Sequence, residues 1–107
     1  MKKLSPTEIH TAKYYYSVFE AIPEELWWRG ALIHRPDIIV QINGRTITEQ
    51  RCAVGHLRLL NISEMPLQSI FGDIYKKSIE MINDSVRHTA KQNILSAIKQ
   101  LIDGHDL

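Results

Sequence analysis

The sequence predicts a mainly α protein (α+β by strict count), with about five helices packed around one core and a single inserted β-hairpin. Three observations predict it. Apolar residues recur at three- and four-residue spacing in several segments, which is the period of an amphipathic helix. Two of those segments open on a capping box, Ser5 with Glu8 and Thr89 with Gln92, in which two orphan amides are satisfied reciprocally. Between them "DIIVQINGRTIT" turns to alternation around Asn43-Gly44, a pair suited to a type I′ turn because both central residues need positive φ.

The first helix spans Pro6 to Ala21. Ser5 caps it, and Pro6 sits where a missing N–H costs nothing. Ile9, Ala12, Tyr16 and Phe19 form its stripe, and Pro23 ends it. "PEELWWRGALIHRP" reads as a second helix with acids in its first turn, one face of Leu26, Trp27, Gly30 and Ala31, and a stop at Pro36. Small Gly30 and Ala31 would let another element approach closely. Strands at Ile38–Ile42 and Arg45–Thr48 follow. A lone hairpin is marginal in water, so this one is expected to pack on helices.

A third helix runs from Glu49 to Leu60, and "NISEMP" is loop and cap. "PLQSIFGDIYKKSIEMIND" reads as one helix with Leu67, Ile70, Phe71, Ile74, Ser78, Met81 and Ile82 on its stripe. Gly72 weakens it by about 1 kcal/mol relative to Ala. The last helix carries Ile94, Leu95, Ile98, Leu101 and Ile102 on one face and stops at Gly104. Short loops imply roughly antiparallel neighbours.

The chain of 107 residues is one domain's worth, taken as residues 1–107, and its 44% hydrophobic and 23% charged residues are ordinary globular usage. A net charge of +1 lacks the dense cationic surface of non-specific nucleic-acid binding. Lys76, Lys77, Arg87, His88, Lys91 and Lys99 bias the C-terminal half towards basic, which a solvated face explains. One cysteine excludes an intramolecular disulfide and fits a reducing cytoplasm. "MKKLSPTEIH" has no apolar run behind its lysines, so it does not read as a secretory signal. No apolar stretch reaches the roughly 20 residues that span a bilayer. A cytoplasmic protein without membrane contact is expected.

Three patterns stand in order along the chain: Trp27, Gly30, Ala31 and Leu32 as Trp-x-x-Gly-Ala-Leu; Cys52, Ala53, Gly55 and Leu57 as Cys-Ala-x-Gly-x-Leu; and Asn83-Asp84 before a terminal helix capped by Thr89. Together they resemble a family of small bacterial and phage proteins known only as a domain of unknown function. The resemblance covers roughly Leu26 to Leu101. It implies a fold and a bacterial or phage origin and brings no activity. The family usually has Ala where His56 stands and Trp where Ile82 stands, which sets His56 outside any shared Cys–His catalysis.

Cys52 is the most chemical residue of the chain. Near a helix start, the dipole would lower its pKa. His88 or His34 could then act as base, with Asn83 or Asp84 as orienting group. The ordinary alternative, a small buried core residue beside Ala53, Gly55 and Leu57, is the more common fate of a free cysteine. A metal site is not expected: Cys52 and His56 give two ligands, and zinc needs at least three from protein. No cofactor is expected either, since no phosphate-cradling Gly-rich loop or nucleophile elbow is present. Asn83 and Asp84 with Thr89 could contact a ligand, but caps and turns between helices use the same residues. For binding, Trp28 with Arg29 and Tyr15 are the candidates. Trp27 is the core tryptophan, so Trp28 points about 100° away, and Trp and Arg are enriched at hot spots. The three tyrosines at Tyr14–Tyr16 fan around their helix, one inward and at least one outward.

The sequence therefore points to a non-enzymatic protein-interaction or regulatory module. Its partner would be another protein, a second copy of the chain included, rather than nucleic acid. The alternative is a compact cysteine-dependent enzyme using Cys52.

Overall fold

Ser5 starts the first helix as its capping box requires. In the computed structural model, which describes residues 4–35, 40–42 and 44–105, its hydroxyl accepts the Glu8 amide at 3.2 Å, and Glu8 Oε1 accepts the Ser5 amide at 3.0 Å. This helix, α1, spans Pro6–Glu20. It buries Ala12, Tyr15 and Phe19, with Ile9 and Tyr16 half-buried beside them. Tyr15, expected on the outer side, is instead a core residue at 3% exposure whose hydroxyl donates to the Ser63 carbonyl. Tyr14 is the exposed tyrosine. Adjacent helical positions differ by about 100°, so a wide apolar stripe could centre on either Tyr15 or Tyr16.

The expected second helix does not form. A 3-10 turn over Glu24–Leu26 is followed by extended chain that ends in β1, Ile33–His34. Gly30 has φ +85, a value no right-handed helix contains. The backbone of this segment finds partners elsewhere: the Trp28 amide donates to the Arg51 carbonyl at 2.9 Å, and β1 pairs antiparallel with β4, Gln50–Arg51. Residues 49–51, read as the start of a helix, thus belong to an extended stretch. Helix α2 is shorter than expected, Ala53–Leu59, with Cys52 at its N-cap.

Between β1 and β4 lies the hairpin. Strands β2, Val40–Ile42, and β3, Arg45–Ile47, pair antiparallel, with Val40 opposite Ile47 and Ile42 opposite Arg45. Gly44 carries the positive φ, +75, that the turn demands. Asn43 and the expected strand residues Ile38 and Ile39 lie outside the described residues. The sheet structure is therefore two antiparallel pairs, one nested within the other, rather than a hairpin alone. Ile47 on β3 is buried at 2% exposure but stands outside the main core cluster.

The segment read as one long helix is two. Helix α3 covers Met65–Tyr75, and α4 covers Ile79–Asn83. Lys76 at φ 57 breaks the helical path, and Ser78 recaps it by accepting the Met81 amide at 3.1 Å. Gln68 braces the joint, accepting the Ile79 amide at 2.6 Å and donating to Glu80 at 2.9 Å. The break changes which residues face inward: Ile79 and Ile82 are buried, and Met81 is exposed. Helix α5, Ala90–His105, starts beside Thr89, whose hydroxyl accepts the Gln92 amide, and it runs through Gly104 rather than stopping there.

The protein is mainly α, with five α-helices among the described residues. Helix α1 packs along α5, α3 lies on α1, and α4 joins α5 to α2. Phe19, Phe71, Leu57, Leu67, Ile79, Ile94 and Ile98 are fully buried between them. Trp27 closes this core, its ring 5.5 Å from Phe19 and 5.2 Å from His56. None of the helices is long and apolar enough to cross a membrane among the described residues.

The close approach expected at Gly30 and Ala31 occurs at Gly55. A Cβ there would lie 2.1 Å from the Leu32 carbonyl oxygen, so α2 can meet the 28–34 segment only through a glycine. Gly30 has open space around it. Gly55→Ala should therefore lower unfolding free energy by about 3 kcal/mol, the upper part of the overpacking range. Urea denaturation would measure it, and a loss within error of zero would contradict the described contact.

Candidate functional site

Helix α4 is one turn and a half long, and its last residue, Asn83, is fully buried. An amide side chain there must be hydrogen-bonded or cost stability. Asn83 Oδ1 accepts the Ala53 amide at 3.0 Å, and its Nδ2 donates to the Trp28 carbonyl at 3.0 Å and to Asp84 Oδ1 at 2.9 Å. Asp84 Oδ1 in turn accepts the Gly30 amide at 2.9 Å. Helix α2 needs this help. Its N-cap, Cys52, makes no side-chain cap, and the first amides of a helix have no partner of their own. Asn83 supplies one from a residue 30 positions further along the chain.

A second asparagine holds the loop after α4. Asn93 Nδ2 donates to the Ser85 carbonyl at 2.6 Å and lies 3.3 Å from the carbonyls of Asn83 and His88, while its Oδ1 accepts the His88 amide at 3.1 Å. The His88 carbonyl also accepts from Arg29 Nη2. Residues of the three ordered patterns thus meet at one junction: Gly30 and Leu32, Ala53 and Gly55, Asn83 and Asp84.

Cys52 lies at this junction, and it is buried at 3% exposure, as the ordinary core reading expects. Burial pushes its thiol pKa up. The Gly55 and Val54 amides oppose the rise, and the carboxylates of Asp84 and Glu80 add to it. At neutral pH the sulfur is a protonated thiol, which is a poor nucleophile. Neither histidine proposed to activate it is shown bonded to it. His34 stacks on Trp28 with centroids 3.6 Å apart and planes within 3°, and the His88 backbone belongs to the Asn93 network. Among the described residues no hydrogen bond links Cys52 to an imidazole. Asn83 and Asp84, cast as orienting groups, bond to backbone and to each other instead.

His56 is buried on α2, and its Nε2 donates to the Leu26 carbonyl at 2.9 Å. A carbonyl only accepts, so the proton sits on Nε2. Burial lowers the imidazole pKa below its usual 6.5, against the opposing pull of the Leu26 and Arg51 carbonyls; the nearby Arg51 charge lowers it further. His56 and Cys52 do not form a metal pair. Among the described residues, no group of three His, Cys, Asp or Glu side chains converges to hold an ion.

Of the binding candidates, Trp28 reaches the surface at 37% exposure, with Leu32 at 41% and Ile33 at 42% close by in the chain. Arg29 is exposed but fastened to His88, so it braces the Trp28 segment. Tyr15 is in the core. Sequence reasoning missed Asn93 and the stacking role of His34. The signal for Asn93 was an amide beside Ile94, at the head of an apolar stripe, where a polar residue needs a reason. Nothing local marked His34. No family model, no curated protein and no solved structure matches this chain.

Asn83→Ala should leave the Ala53 amide and the Trp28 carbonyl unpaired and destabilise the fold by about 2–6 kcal/mol, at about 1–3 kcal/mol for each buried orphan. Denaturant titration would read this, and a loss below about 1 kcal/mol would mean water replaces the amide. His56 gives a pH dependence. Its folded pKa lies below its unfolded value, so stability is complete above pH 6.5 and falls as pH drops below that value towards the folded pKa. For one group the slope cannot exceed about 1.4 kcal/mol per pH unit. The His56 share of this slope should vanish in His56→Gln. An identical pH profile in both proteins would refute the assignment.

Proposed function

We propose that this chain is a non-enzymatic protein-interaction module working in a bacterial or phage-infected cytoplasm, as its ordered sequence patterns imply. One observation carries the reading. Trp28 and His34 form a flat stacked pair at the surface, with Leu32 and Ile33 exposed beside it in the chain. A Trp presented at a surface on a braced backbone is the kind of rigid aromatic anchor on which interfaces concentrate their energy. The bracing is explicit: the Trp28 amide and carbonyl are both bonded, to Arg51 and Asn83, and Arg29 ties the next residue to the α4–α5 loop. The partner is a protein, with a second copy of this chain as the simplest case.

The buried, protonated Cys52 weighs against the enzyme alternative, which asks for a reachable thiolate with a base and an orienting group around it. Asn83 and Asp84 have a sufficient role in fastening three segments. Among the described residues, the exposed basic residues on the C-terminal half are not accompanied by a row of open aromatic platforms of the kind on which single-stranded nucleic acid stacks.

Trp28→Ala should remove about 2 kcal/mol or more of binding energy, while costing the fold only about 0.5–1.5 kcal/mol for the lost ring pair. A photo-crosslinking side chain placed at Leu32 should capture a protein, either a second copy or another chain, and the capture should disappear with Trp28→Ala. The same label at Lys99 serves as control. Equal yields at both positions would remove this face as the interface.

A further inference from the structure

A cleft of about 230 Å³ opens between α4, the loop after it and α5. Its apolar wall is Tyr75, Met81 and Ala97, and its rim carries Lys77, Arg87 and His88. Among the described residues no Asp or Glu lines it. The wall is fixed, because the Tyr75 hydroxyl donates to the Ala97 carbonyl at 2.7 Å and its ring packs edge-on against Phe71. The rim is unspent. Arg29, Arg35, Arg51 and Arg58 each engage an acceptor, whereas the side chain of Arg87 engages none among the described residues, and neither does that of Lys77. Met81 is 59% exposed, a large apolar side chain left outside by the break that rotates α4.

The geometry points to this cleft as the docking site for an acidic peptide segment of a partner protein, one carrying a large apolar side chain among Asp or Glu residues. This deepens the protein-interaction reading and rests on it. Three considerations select the occupant. The rim is cationic with no competing carboxylate, so a segment of opposite charge is complementary. The volume lies below the roughly 300–1,000 Å³ of small-molecule sites, which suits a side chain of a larger partner rather than a whole metabolite. Tyr75 is the one Phe, Tyr or Trp among the described lining residues, and it is held edge-on against Phe71, so there is no row of rings on which successive bases could stack. Arg29 and His88, bonded to each other, stand between this cleft and Trp28, so a single partner can touch both.

The test is selection of random displayed dodecapeptides on the full chain, followed by anisotropy titration of the best one as a synthetic labelled peptide. Enriched sequences should place Asp or Glu around one large apolar residue. Binding should weaken by about tenfold or more when Lys77→Glu and Arg87→Glu are combined, less for the neutral pair Lys77→Gln with Arg87→Gln, and should also weaken with Met81→Ser and with rising salt. All three positions are exposed, so unchanged thermal midpoints are expected. Peptides without acidic bias, or affinity indifferent to charge reversal, overturn the proposal. So does equal binding by polyglutamate, which would make the cleft a plain anion site, or displacement by a DNA oligonucleotide. Peptides lost on Trp28→Ala but kept on charge reversal overturn the cleft and leave the interaction module standing. A selection that enriches nothing overturns both.

Discussion

The carboxamide of Asn83 is the interaction on which the rest of this structure depends. It is fully buried, and it joins three stretches of chain that share no local sequence: the extended segment after the 3-10 turn, the start of α2 and the end of α4. A carboxamide suits the task because it accepts and donates at once. A carboxylate could take the Ala53 amide but would set charge against the Trp28 carbonyl, and a hydroxyl could not reach both. With that joint closed, Gly55 can seat against Leu32, Trp27 can fill the space between Phe19 and His56, and α2 can persist as seven residues without a cap of its own.

What was legible in the sequence was local. The Ser5–Glu8 box, the Thr89 cap, the Gly44 turn and the apolar stripe of α5 rest on contacts within four residues, and each appears. Trp27 inside and Trp28 outside also held, though for a different reason. In an extended chain neighbouring side chains face opposite ways, so the same burial follows without the expected helix. The helix itself was not legible as absent, because its competitor is the Arg51 carbonyl, distant in sequence. The break at Lys76 to Ser78 has the same cause in miniature, since Gln68 from the preceding helix stabilises it.

The candidate site divides likewise. Asn83 and Asp84 were read as capping residues, and capping is what Asn83 does, but for α2 rather than for the helix that follows. The ordinary role read for Cys52, a small core residue beside Ala53, Gly55 and Leu57, fits its burial. The patterns that first suggest chemistry are accounted for by the joint, and the surface left over, with the Trp28–His34 pair and the cations around Met81 that engage no acceptor among the described residues, is where the proposed recognition is sited.

The joint also orders events in time. Residue 83 caps a helix that begins at residue 53, and the last helix is the main packing partner of the first. During synthesis at about 5–20 residues per second, α2 must therefore wait seconds for its cap, and α1 longer for α5. Exposed Trp27 and Phe19 spend that interval without their final neighbours. The chain closes from its far end, so its vulnerability to aggregation is concentrated before the last helix is made.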